Sequence, residues 1–100
     1  MTEFIVPDWR APRGVHALVT TRAFGDMRAG GAGRARIREF VPGAPLWIRQ
    51  VHGCAVARAD AEPSVPDAPE ADAACARTSA RACAVLTADC LPVLLASRAG

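Results

Sequence analysis

The chain has 100 residues, 51% of them hydrophobic, and a formal net charge of +2. That length holds one small domain with enough apolar residues to bury a core. So weak a charge, with no Tyr and few other aromatics, excludes the basic, stacking surface on which nucleic acids are usually bound.

No apolar run approaches the length of about 18 residues that a membrane span needs. The opening MTEFIVPDW lacks the basic and apolar regions of a secretory leader. The expectation is a cytoplasmic protein with neither a nucleic-acid nor a membrane partner. Cys54, Cys75, Cys83 and Cys90 contain no CxxC pair. Without a secretion signal they read as reduced thiols. RARIR at 34–38 is the one basic cluster, read as a solvated helix face before a phosphate or nucleic-acid patch.

In chain order, FIVPDW reads as a short edge strand ended by Pro7. GVHALVTTR, 14–22, alternates as a strand does. GDMRAGGAG, 25–33, is a glycine loop, and RARIREFV, 34–41, is a two-turn helix stopped by Pro42-Gly43. PLWIRQVHG, 45–53, is the next strand: Leu46, Ile48, Gln50 and His52 on one face, Trp47, Arg49 and Val51 on the other. CAVARAD extends or restarts it, and AEPSVPDAPE, 61–70, is a loop. ADAACARTSAR, 71–81, is divided between alanine's helix propensity and a Thr-Ser turn. ACAVLTA, 82–88, reads as a buried strand, and VLLAS, 93–97, as another after Pro92. That last strand runs into Arg98-Ala99-Gly100 with no partner following, so the chain is expected to be part of a longer domain.

Four residues invite a chemical reading. Cys90, at a strand end, is a nucleophile, a metal ligand, or a small buried hydrophobe. Its neighbour Asp89 is a general acid or base, a carboxylate orienting a ligand, or an Asx-turn residue. His52, followed by Gly53, is a zinc ligand, a base, or a histidine bonded to backbone. Arg22, after Thr20-Thr21, either grips a phosphate or carboxylate or is a surface arginine; Arg49 has the same two readings.

Three stretches together resemble one family. WIRQVHGCAV at 47–56, EADAACARTSARACAVLTADCLPVLLASRAG at 70–100 and GVHALVTTRAFG at 14–25 are similar to the QVHG, ADA…TADC-x-P and TTR segments of the YfiH family. This family is also called the laccase-domain or multicopper polyphenol oxidase family. The resemblance implies an α+β fold of layered β-sheets flanked by helices, of which residues 1–100 would be the strand-rich N-terminal portion of a single domain. It implies a zinc-dependent purine nucleoside phosphorylase with adenosine deaminase activity, acting on a purine nucleoside and phosphate; a bacterial branch is linked to peptidoglycan editing.

The family's metal set resembles His, Cys, His. By motif, the first His falls on His52 and the Cys on Cys90. The second His belongs to an HAGWRG segment expected beyond Gly100, so the 100 residues alone are expected to show little activity. Such a set leaves zinc an open position for chemistry. Asp89 is then a candidate for moving a proton and Arg22 for holding an anionic group. Copper-dependent phenol oxidation is the alternative enzyme reading, but neither a His-x-His pair nor a methionine cluster supports it. A non-catalytic interaction module is the third reading. Residues 25–45 look shortened against the family, and RAFGD has one glycine where the family tends to have two. A piece of such a sheet would leave an open apolar edge beside VLLAS, suited to self-association.

Overall fold

The computed structural model describes residues 2–60, 68–79, 81–87 and 91–98. Asp89, Cys90 and most of the proline-rich loop lie outside the described residues. The chain divides into two compact units, Met1–Ala35 with Pro92–Gly100, and Arg36–Leu91.

In the first unit, β1 (Phe4–Ile5) pairs antiparallel with β2 (Val19–Thr20), Phe4 opposite Thr20 and Ile5 opposite Val19. The Thr21 amide adds a bond to the Glu3 carbonyl at 2.9 Å. The strand expected over 14–22 is thus only two residues long in its ladder. The edge strand that should pair with the rest ends at Ile5, and Pro7, two residues on, has no N–H with which to continue the ladder. The chain then turns through a 3₁₀ helix, Arg22–Phe24, which buries Phe24. A short α-helix, α1 (Ala32–Arg36), begins inside the expected glycine loop; its last residue, Arg36, and the 3₁₀ turn over Ile37–Glu39 that follows belong to the second unit. A Cβ on Gly33 would stand 2.6 Å from the Gly25 carbonyl carbon, so the helix can start there only because both positions lack a side chain. The strand expected over 93–97 is not formed: no ladder holds it among the described residues, and Val93 and Leu95 are 77% and 90% exposed.

The second unit is built on parallel pairs. β3 (Leu46–Trp47) lies beside β6 (Cys83–Ala84), and β4 (Val56–Arg58) beside β5 (Ala73–Cys75). A single parallel bridge joins Arg49 to Glu70. Leu46, Ile48, Ala57, Ala59 and Ala71 form the core, with Ala74 against it. The alternation read at Leu46 and Ile48 holds, because both point into this core. Segment 71–81 is neither the helix nor simply the turn expected. Its first part is β5, since pairing with β4 overrides alanine's helix preference. Among the described residues of ACAVLTA a ladder forms only at Cys83–Ala84, and Val85 and Leu86 stay partly exposed. The Arg81 guanidinium donates to the carbonyls of Ala44, Pro45 and Ala59, at 3.0, 3.4 and 3.4 Å, pinning the entry to β3 against the end of β4.

The described chain is therefore mixed α and β. Among the described residues, each ladder has two strands, and layered sheets do not appear.

Candidate functional site: the His52 loop

β3 with Arg49, and then β4, run parallel to the single segment 69–75. The register offset is 21 residues at the Arg49–Glu70 bridge and 17 at the Val56–Ala73 pair. Four extra residues must therefore leave the ladder between Arg49 and Val56, and they do so as a loop carrying QVHGC. At its base, the Arg49 amide donates to the Pro69 carbonyl and the Ala71 amide to the Arg49 carbonyl, at 2.8 and 3.1 Å. Beyond the loop, the Asp72 amide donates to the Ala55 carbonyl at 3.1 Å. An exposed Arg49–Glu70 ion pair of 2.6 Å closes the stem, which answers the two readings of Arg49. Such a pair is worth about 0–1 kcal/mol.

Two side chains fix the loop. The Asp72 carboxylate accepts three successive backbone amides: Val51 at 3.0 Å and His52 at 2.8 Å on Oδ1, and Gly53 at 2.7 Å on Oδ2. These amides hold its carboxyl below the usual aspartate range, Gly53 contributing most; the nearby His52 adds a smaller charge effect. Between them, His52 adopts φ 61°, the left-handed region that costs a side-chain-bearing residue about 1–2 kcal/mol. It is the histidine, not Gly53, that makes this turn. The second tie is Gln50. Its Nε2 donates to the Leu86 carbonyl at 2.9 Å, and its Oε1 accepts from the Leu86 amide at 2.8 Å. The side-chain amide thereby imitates one rung of a ladder, extending the β3–β6 pairing past its last backbone pair.

The His52 residue so held is exposed. The reading of 45–53 as one continuous strand is corrected: the strand stops before the loop, and the loop presents His52. Gln50 and Asp72 were given no role from sequence, although both lie in motif segments, QVHG and EADA. Asp72 is remote from His52 along the chain, and no local periodicity links them.

Arg22 is exposed and opens the 3₁₀ turn instead of ending a strand. It belongs to the first unit and His52 to the second. Asp89 and Cys90 follow Thr87, the last described residue of the segment tied down by Gln50. Cys54 is an exposed thiol in the same loop as His52. Cys83 is exposed as a residue, yet burial of its thiol raises its pKa, with Cys75 and Asp60 adding and Arg81 opposing. Among the described residues, no three His, Cys, Asp or Glu side chains gather in a metal-binding group. No described helix is long and apolar enough to cross a membrane.

A family model described as multi-copper polyphenol oxidoreductase laccase matches residues 18–100. A purine nucleoside phosphorylase of Pseudomonas aeruginosa is 36% identical over 117 residues, covering 100% of this chain and 47% of that protein. Purine nucleoside phosphorylase YfiH of Escherichia coli K12 is 39% identical over 119 residues, covering 100% and 48%. A purine nucleoside phosphorylase of Streptomyces coelicolor is 47% identical over 55 residues, 55% of this chain and 23% of that one. The chain thus spans about half the length of the first two relatives. The alignment of 117 residues with a chain of 100 leaves 17 positions of the Pseudomonas protein without a counterpart. No solved structure matches significantly. The match over 18–100, with the QVHG loop inside it, establishes that this chain belongs to the multi-copper polyphenol oxidoreductase laccase, or YfiH-like, family.

Proposed function

We propose that this chain contributes to the active site of a zinc-dependent purine nucleoside phosphorylase that also deaminates adenosine. The observation that carries the reading is the exposed His52 presented on a loop fixed by Asp72 and Gln50. A scaffold that holds a histidine in left-handed backbone, open to solvent, suits a ligand better than a packing role. The names of the relatives supply the reaction class.

The donor chemistry fits zinc: an accessible imidazole and, in TADC, a thiol. His52 and Cys90 would hold the ion. When bound, zinc supplies a Lewis acid that raises the acidity of a water or polarises a substrate oxygen. The chain's own residues would do the rest. Asp72 and Gln50 keep His52 in place. Asp89 moves a proton or orients a ligand, and Arg22 holds an anionic group such as phosphate. In phosphorolysis, a phosphate oxygen attacks the ribosyl carbon as the purine leaves, and a proton is delivered to the departing base. In deamination, water replaces the C6 amino group, which departs as ammonia. With only two histidines, His16 and His52, the chain offers no basis for preferring copper-dependent phenol oxidation.

The test is inosine phosphorolysis by the complete product of the reading frame that carries this sequence, with metal analysis. His52→Ala and Cys90→Ser are expected to abolish zinc retention and turnover. Asp89→Ala should lower turnover, and Arg22→Ala should weaken phosphate affinity. Full activity with no bound zinc, or zinc retained by both ligand variants, would overturn the metal assignment.

A further inference from the structure

We infer that Asp72 is a positioning residue, whose three backbone hydrogen bonds hold His52 in left-handed conformation and so set the direction of its imidazole. The inference rests on reading His52 as a metal ligand, but its structural half stands independently. Successive amides of Val51, His52 and Gly53 converge on one carboxylate, with two on Oδ1 and one on Oδ2. Consecutive N–H groups turned to one side form a concave anion-binding nest, and here the anion is supplied by the chain itself. A residue with a Cβ leaves the left-handed region when nothing holds it there. Without Asp72, His52 would return to extended or right-handed backbone and its imidazole would swing with it.

Asp72 is itself held. Its amide donates to the Ala55 carbonyl, and it directly precedes β5, whose ladder with β4 begins at Ala73. The carboxylate is therefore mounted on the strand beside the loop's throat, while the histidine is mounted on the loop. A Cβ at Gly53 would lie 3.5 Å from Asp72 Oδ2, an ordinary contact, so the carboxylate packs against the loop backbone as well as bonding to it. The arrangement fixes a ligand through its main chain and not through its imidazole ring.

The test is amide hydrogen exchange on the full chain, read residue by residue, beside zinc affinity measured by chelator competition. In the natural chain the amides of Val51, His52 and Gly53 should be protected. Asp72→Ala should speed exchange at all three, by roughly 2- to 12-fold per bond lost, and weaken zinc binding by roughly 10- to 100-fold. Asp72→Asn is the finer variant, because its single oxygen can keep the Val51 and His52 bonds while its NH₂ cannot accept from Gly53. It should release Gly53 alone and retain more zinc affinity than Asp72→Ala. Unprotected amides in the natural chain, or equal release of all three in Asp72→Asn, would overturn the positioning role. His52→Ala separates the two readings: unchanged zinc affinity there removes the ligand role, while the exchange pattern still decides whether Asp72 shapes the loop.

Discussion

Replacing Gln50 by alanine removes two hydrogen bonds, to the carbonyl and amide of Leu86 at 2.9 and 2.8 Å. Each is worth roughly 0.5–1.5 kcal/mol net. Leu86 is 37% exposed, so water replaces part of the loss, and a cost of about 1 kcal/mol is expected. For a domain of this size that lowers the melting temperature by about 4–8 °C, read by far-ultraviolet circular dichroism. Gln50→Glu discriminates further. It keeps the bond from the Leu86 amide but sets a carboxylate oxygen against the Leu86 carbonyl, where Nε2 had donated. The new carboxyl is favoured in its protonated form, so its folded pKa lies above the unfolded value. Relative to Q50A, the Q50E protein should recover stability as pH falls toward 4, because the acid's O–H can again donate to the carbonyl. A melting temperature unchanged in Q50A would refute the reciprocal pair, and with it the extension of the β3–β6 pairing toward Thr87.

Leu46 is 2% exposed at the centre of an otherwise largely alanine core. Leu46→Ala should cost about 2–5 kcal/mol and unfold the second unit at ordinary temperature, seen as loss of the cooperative urea transition. Gly33→Ala places a Cβ 2.6 Å from the Gly25 carbonyl carbon and 2.8 Å from Met27 Sδ; overpacking of about 1–3 kcal/mol should appear as a lowered denaturation midpoint at constant slope. Asp72 has a lowered folded pKa, so its stabilisation is complete above the unfolded aspartate value of about 4 and fades as pH falls through the lower folded value. Acid titration followed by NMR should therefore loosen residues 51–53 only below about pH 4. Cys54 is exposed, while burial raises the Cys83 thiol. Iodoacetamide at pH 8 should label Cys54 well before Cys83; equal rates would refute the difference between them.

The motif that carries His52 could be read along the chain, but the way the loop is held could not. QVHG and TADC marked His52 and Cys90 as residues to weigh together. Nothing local announced that Asp72, 20 residues beyond His52, would bond its amide, or that Gln50 would reach Leu86 across 36 positions. Those partners meet because parallel strands join segments far apart in sequence. The same cause misled the reading of 71–81, where alanine's intrinsic preference yields to pairing with β4.

What the sequence determined by itself was local and chemical. Pro7, with no N–H, bars the first edge strand from running on past its short ladder, and the alternation of Leu46 and Ile48 selects the face that enters the core. The QVHG and TADC motifs also carried the resemblance to the family that the match over 18–100 shows. Tertiary structure alone decided that four extra residues must bulge between Arg49 and Val56, because the register is set by residues 70 and 73 on another segment. It alone placed His52 at φ 61°, since a strained backbone angle persists only where distant groups, here the Asp72 carboxylate, hold it against its local preference.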